Sequence, residues 1–400
     1  MSDSPQRSRS LVAAVAAMLL ARIATNGSWR VVYPFLPEIA EGLGVTLSAV
    51  GVLLFVRAAA ALVAPGVPRV IDRAGHRRVM LAALVLVVAG SAAAAGSDLL
   101  SRGLWPLLGA GAGFALLGLA KPLFDVSMQS WLGARVPAAR HGRVLGATEL
   151  AWGLSLALAF PAGWLIAWAG WTAMFWLVAG VAAAGLTAVA AGLPRRDATA
   201  GGQARLAWSQ LRGPLGALIV VVALFRVAAE LLFVVYGSWL EADLGLTVTA
   251  IGAVTLIVVA SELTGEGAVM ALGDRVGLRR SLLAGLLGTT VAYAGLGLVG
   301  GSLAAAIVAM VAWFLLFEVT IVAAVPLAVG LGGPQRERVM SLVATVNVAS
   351  TGVGALLAPP LFDIGGIGLN GVVAAVCTAT AALVVLARVP APDVSAVAHR

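Results

Sequence analysis

The chain has 400 residues, of which 61% are hydrophobic and only 11% charged, against about 25% charged in an ordinary soluble domain. That composition leaves too little polar surface for a water-soluble fold. A formal net charge of +8 would suit nucleic acid, but the basic residues stand in short clusters between apolar runs, with no basic domain.

Runs such as Val79–Gly96 and Leu303–Leu316 are continuous rather than alternating. This excludes a lipid-spanning barrel, whose strands alternate over about ten residues, and predicts helices of about 20 apolar residues each. At the start, Arg7 and Arg9 ahead of Leu11–Leu20 imitate a secretory signal. The apolar run continues through Arg22 to Leu36, however, so a retained first helix is expected. In chain order the predicted helices are 11–37, 47–68, 79–97, 104–133, 143–167, 171–193, 214–240, 248–271, 280–299, 303–331, 339–362 and 367–388. The polar stretch 194–213 is expected as a cytoplasmic linker between an N-terminal six-helix bundle, 1–193, and a C-terminal one, 214–400. The expected fold is thus an all-α membrane protein, twelve transmembrane helices in two pseudo-symmetric six-helix bundles.

Arginine sets the orientation. With the N-terminus in the cytoplasm, the clusters around Arg69, Arg77, Arg140, Arg196, Arg279, Arg336 and Arg388 all lie inside, and only Arg102 falls outside. Glu38, Glu41, Glu241, Asp243 and Asp363 gather on the outer side. Both termini are therefore expected in the cytoplasm, with the chain multi-pass in the inner (plasma) membrane. The single cysteine, Cys377, allows no internal disulfide or thiolate cluster, and His76, His141 and His399 form no metal constellation. No metal and no cofactor are expected.

The sequence repeats itself. Leu43-Gly-Val-Thr-Leu-Ser-Ala-Val-Gly51 recurs as Leu244-Gly-Leu-Thr-Val-Thr-Ala-Ile-Gly252, and Asp72-Arg-Ala-Gly-His-Arg-Arg78 recurs as Asp274-Arg-Val-Gly-Leu-Arg-Arg280. Each half carries both motifs in the same order, at the two ends of its second predicted helix. Same-direction halves of this kind are a transporter architecture with the solute path between them. Gly75 and Gly277 permit a tight turn in the second motif, and Arg73, Arg77, Arg78, Arg275, Arg279 and Arg280 hold it on an anionic membrane face. Asp72 and Asp274, near helix ends, can meet a helix N-terminus or an arginine; a purely topogenic charge cluster is the alternative.

These motifs resemble the signature loop of the major facilitator superfamily and its echo after the eighth helix. Tyr33-Pro-Phe-Leu-Pro37 and Gly163-Trp-Leu-Ile166 resemble its drug and sugar efflux branch. The sequence departs from the family pattern at Pro68 and Met270, where the loop usually opens with glycine, and at Phe160-Pro161, where the antiporter motif has Gly-Pro. The resemblance implies a secondary transporter, a loop that latches one conformational state, and proton-coupled export of a small organic solute or drug.

Eleven ionisable residues fall within predicted spans: Arg22, Arg30, Arg57, Lys121, Asp125, Glu149, Arg226, Glu230, Glu262, Glu266 and Glu318. Each costs a few kcal/mol at the bilayer centre, roughly 2.5–3.5 on insertion scales, so each must face a cavity or a partner. Lys121 and Asp125, and likewise Arg226 and Glu230, are four apart and share a helix face. Glu262 and Glu266 are two carboxylates one turn apart; they either hold a proton or face an arginine from another helix. Glu318 stands among Trp313, Phe314 and Phe317 and can take a cation or a proton, or partner Arg57 or Arg226. Candidates for proton coupling are Glu262, Glu266, Glu318, Asp125 and Glu149. Those for the solute cavity are Arg22, Asn26, Arg30, Tyr33, Arg57, Lys121, Arg226 and Glu230, with Arg22 and Arg30 able to grip an anion. The expected partners are a small-molecule solute, protons and the lipid bilayer, with no nucleic acid, and the protein is expected as a monomer. Neither His-Glu-x-x-His nor Gly-x-Ser-x-Gly occurs, and no phosphate-binding Gly-x-x-x-x-Gly-Lys loop, so an embedded enzyme or ATPase is not expected. An uncoupled facilitator, an importer and a transport-inactive scaffold remain as alternatives.

Overall fold

Proline decides where several of the apolar runs break. The computed structural model describes residues 5–100, 104–136, 138–194, 213–331 and 335–390. The first run, expected as one helix over 11–37, is α1 (Pro5–Arg30), a 3-10 turn at Tyr33–Phe35 and α2 (Leu36–Leu43). Pro34 and Pro37 have no N–H to give the preceding turn, which weakens the helix twice within four residues and coincides with its break. The second run, expected over 47–68, is α3 (Leu47–Ala61), a turn at Ala64–Gly66 around Pro65, and α4 (Val67–Ala74). After α5 (His76–Gly96) and α6 (Leu104–Arg135), the run expected over 143–167 is α7 (Ala138–Leu156) and α8 (Ala159–Ala169), with Pro161 in the first turn of α8. Then come α9 (Ala173–Gly192), α10 (Pro214–Phe233), α11 (Tyr236–Ala242), α12 (Val248–Val276), α13 (Leu278–Gly295), α14 (Leu303–Leu331) and α15 (Arg336–Arg388). The last is two helices meeting at Gly365 and Gly366, where φ/ψ of −145°/19° and 60°/−162° interrupt the helix inside the expected gap. Eleven helical runs among the described residues are long and apolar enough to cross a membrane, with Arg338–Arg388 counted once. The expected linker over 194–213 lies, but for its end residues, outside the described residues.

The repeated sequence builds repeated geometry. Gly44 and Gly245 stand at φ 65° and 64°, closing α2 and the turn after α11 in a left-handed conformation that glycine adopts without strain. Two residues on, the hydroxyls of Thr46 and Thr247 accept hydrogen bonds from the backbone N–H of Ala49 (3.3 Å) and Ala250 (3.4 Å), capping α3 and α12. Gly75 and Gly277, at φ 82° and 85°, turn the chain between α4 and α5 and between α12 and α13. The arginines behind them repeat as well. Arg77 Nη2 donates to the carbonyl of Ala190 near the end of α9 (2.7 Å), and Arg279 Nε to that of Val389 just past α15 (2.9 Å). A cation placed on the last carbonyls of a helix satisfies orphan acceptors and the macrodipole together.

Packing falls into two sets. Before residue 194, α1 packs on α9 and α7, α5 on α6 and α9, and α3 on α6; after 213, α10 packs on α15, α13 on α14 and α15, and α12 on α14. The sets meet where α3 lies on α15 and α8 on α12, and where α2 and the turn at Tyr33–Phe35 meet α11. At these meetings the backbones themselves touch. A Cβ added at Gly51 would lie 2.6 Å from the carbonyl of Ala355, at Gly252 2.8 Å from that of Ala159, and at Gly237 2.2 Å from that of Pro34. All three lie toward the end that carries Glu38, Glu41 and Glu241. Further along the helices, Gly118, Gly185 and Gly285 instead approach Arg57, Ala21 and Thr320 of their own set.

Gly118→Ala is expected to destabilise, because its Cβ would come 2.1 Å from the Arg57 carbonyl, and overpacking of this kind costs about 1–3 kcal/mol. Gly180→Ala, with nothing within 4 Å of the added atom, is expected to be neutral or stabilising, since alanine is the better helix former. Thermal melts of the two variants in detergent check this; a Gly118→Ala protein as stable as its parent contradicts the close packing.

Candidate functional site

The ionisable residues of the spans converge near the line where the two sets meet. Arg57, on α3, is fully buried. Its guanidinium lies 4.5 Å from the ring centre of Trp29, 5.4 Å from Tyr33 and 5.8 Å from Phe114. Nη1 donates to the carbonyl of Trp29 (2.8 Å) and Nη2 to the hydroxyl of Tyr33 (3.1 Å). Tyr33 donates in turn to Oε1 of Glu230 on α10. One turn back on α10, Arg226 donates through Nη2 to Oε2 of Glu230 (3.0 Å) and through Nε to the hydroxyl of Thr351 on α15 (2.8 Å). A continuous polar chain therefore runs from α3 through the end of α1 to α10 and α15, crossing between the sets at the Tyr33–Glu230 bond.

A second crossing lies beside it. Arg30, at the last residue of α1, donates through Nη2 to Oε1 of Glu262 on α12 and through Nη1 to the carbonyl of Trp152 (2.7 Å), with its guanidinium 4.5 Å from the centre of the Trp152 ring. Glu262 is fully buried, and its Oε2 has no hydrogen-bond partner among the described residues. With Nζ 5.2 Å from the centre of the Trp152 ring, Lys121 donates to Asp125 Oδ2 and to Asn26 Oδ1, both at 2.7 Å. Between the two crossings lies a cleft lined by Trp29, Arg30, Tyr33, Trp152, Leu156, Arg226, Phe233, Tyr236, Glu262 and Phe317. It offers only about 20 Å³ to a water-sized guest, so its side chains are drawn together. A larger groove of about 460 Å³ between α13 and α14 is lined by alanine, valine and glycine alone; it carries no chemistry and suits lipid.

The other expected residues take these places. Arg22 is buried on α1, two turns before Arg30. Glu318, buried on α14, packs its Cβ against Gly265, the residue before the half-buried Glu266. Neither Arg57 nor Arg226 takes Glu318 as its hydrogen-bonded partner; Tyr33, Glu230 and Thr351 hold those positions. The side chains of Glu149, Asp274 and Arg275 lie outside the described residues. Asp72 closes α4 with Oδ1 buried, while Arg73, Arg78 and Arg280 face outward. Sequence reasoning overlooked the aromatic lining. Trp29 and Trp152 stand deep in predicted spans rather than at their ends, and that position was the available signal, since interfacial tryptophans belong near the ends.

A buried polar seam between two sets of apolar helices is the arrangement of a membrane transporter. The comparisons agree. The family model described as Major Facilitator Superfamily matches residues 18–229. A D-xylose–proton symporter shares the fold with a TM-score of 0.77 at 14% identity, covering 95% of this chain and 98% of its own. The xylose transporter XylE from E. coli, in a partially occluded inward-open conformation, gives 0.75 at 14% identity, with 96% and 98% covered. The nucleoside transporter NupG gives 0.72 at 11%, with 94% and 99% covered. No functionally curated protein matches in sequence. The chain belongs to the Major Facilitator Superfamily, and is a multi-pass membrane transporter rather than an enzyme.

Tyr33→Phe removes a bond to Glu230 and one from Arg57 in a single step, leaving two buried charged groups short of a partner. Its expected cost is about 1–3 kcal/mol, read as a lower melting temperature. In a double-mutant cycle with Glu230→Ala, which removes the acceptor, the second change should cost less than it does alone. Additive losses would mean that the Tyr33–Glu230 bond is not made.

Proposed function

We propose that this is a proton-coupled secondary transporter of a small organic solute, built as two six-helix bundles, 1–193 and 214–400, joined by the segment 194–213. It works by alternating access, and twelve spans follow when the broken α15 is counted as two. The observation that carries the coupling is Glu262. Through Oε1 it holds Arg30 of the opposite bundle, and its buried Oε2 has no hydrogen-bond partner among the described residues. A proton arriving at Oε2 neutralises the carboxylate and weakens its hold on Arg30, so protonation and the parting of the bundles are one event. Glu230, bonded across the same seam through Tyr33, is the second candidate. With the backbone contacts at Gly51, Gly252 and Gly237 on the acidic, outer end, this conformation is closed to the outside. The resemblance of Tyr33-Pro-Phe-Leu-Pro37 to the efflux branch favours export. An importer is the second reading, favoured by the similarity in fold to a D-xylose–proton symporter.

Sealed proteoliposomes with an internal pH dye and an imposed proton gradient test this against a panel of cationic, neutral and anionic solutes. Some member should dissipate the gradient in the parent, and the sign of its movement relative to the proton gives the direction. Glu262→Gln should stop proton movement while exchange of labelled solute across the membrane continues. Undiminished proton movement in that variant removes Glu262 from the coupling, and solute flux without any proton movement in the parent favours a facilitator.

A further inference from the structure

The charges in the cleft do not balance. Two guanidiniums, Arg30 and Arg226, line it with one carboxylate, Glu262, and behind them Arg57 and Glu230 add one charge of each sign, linked through Tyr33. Lys121 and Asp125 pair with each other near Trp152, while Arg22, Glu266 and Glu318 lie outside the cleft lining and have interactions of their own. The arginines also occupy the aromatic faces from within. Arg57 covers Trp29, Arg30 covers Trp152, and Arg226 lies 5.5 Å from the centre of Phe233. A cationic guest would find those faces taken and a positive excess around it. An anionic guest would find donors. Arg226, in the lining, uses Nε and Nη2 on Thr351 and Glu230, leaving Nη1, and behind the lining Arg57 Nε is buried without a hydrogen-bond partner among the described residues. Guanidinium groups hold carboxylates in paired, charge-assisted bonds.

We infer that the solute is a small organic monoanion with a flat apolar body, its acidic group seated among Arg30, Arg57 and Arg226 and its body between the aromatic walls. This rests on the transporter reading above and names the substrate class of the same site. It reverses what a central carboxylate among aromatics suggests by itself. The aromatic residues here hold the protein's own cations in place, and the guest supplies the missing negative charge.

Purified protein in detergent tests this with matched probes that share one ring, namely benzoate, benzenesulfonate, benzyl alcohol and benzylammonium, followed by tryptophan fluorescence and thermal shift. The two anions should quench and stabilise, with benzyl alcohol at least about tenfold weaker and benzylammonium weaker still, as expected for one unit of excess charge in a desolvated site. Two variants should shift benzoate affinity in opposite directions. Arg57→Gln should weaken it, and Glu262→Gln, which removes a competing anion, should tighten it, each by about tenfold; a merely damaged fold would weaken both. Equal or tighter binding of benzylammonium, loss in both variants, or no response to either anion up to about 10 mM overturns the assignment. The readout needs no transport, so the two readings fail separately. Benzoate that binds but crosses no liposome removes the transporter reading, whereas a cation carried across leaves the transporter and removes the anion.

Discussion

A guanidinium with no carboxylate of its own, held in the middle of a membrane protein, is the constraint around which the rest is arranged. Arg57 is fully buried, and an arginine at the centre of a helix costs roughly 2.5–3.5 kcal/mol to insert. Its charge is met by three aromatic faces, a carbonyl and a tyrosine hydroxyl, and that hydroxyl passes the interaction to Glu230 in the other set of helices. Because the compensation comes partly from across the seam, Arg57 links solvation to conformation. In the proposed alternating-access cycle, parting the two sets would open the chain Arg57–Tyr33–Glu230 at its middle, and each charged group would need water or solute instead. Stability in one state and readiness to leave it come from the same bonds.

The position of the break in α1 serves this arrangement. Pro34 and Pro37 end the helix just after Arg30 and turn the chain at Tyr33, so that Arg30 reaches α12 while Tyr33 reaches α10. Three residues apart, Arg30 and Tyr33 stand only about 60° apart around the helical path, so both are turned toward the second set of helices. The cleft offers scarcely more than a water's volume because these long side chains fill it with one another. As the proposed solute site, it would select by what its residues exchange for a guest and not by a cavity already shaped for one.

Most of the architecture was legible in the sequence because hydrocarbon imposes a strict pattern of apolar runs between arginine clusters. The repeated motifs also foretold the turns at Gly75 and Gly277, while the repeated caps at Thr46 and Thr247 emerged only in the structure. What the pattern hid were the interruptions inside the runs, since apolar composition continues through a break such as that between α10 and α11. The short-range pairs, Lys121 with Asp125 and Arg226 with Glu230, follow from four-residue spacing. The bonds Arg30–Glu262 and Tyr33–Glu230 join positions more than 190 residues apart, and no local spacing encodes them. Trp29 and Trp152 were passed over because tryptophan in a membrane sequence points first to the interface, and only their depth in the helix argued otherwise.

The closure at the acidic end has a consequence for how such a chain can change over generations. At Gly51, Gly252 and Gly237 the contact is backbone on backbone, with no side chain to lengthen, repack or compensate. Almost any replacement there would wedge the end apart, so these positions have little freedom to drift. Residues such as Phe233, Leu156 and Phe317 line the cleft without taking part in that closure. A lineage can therefore exchange them, and so try new cargoes, while the moving parts stay untouched. Machinery and selectivity are inherited separately.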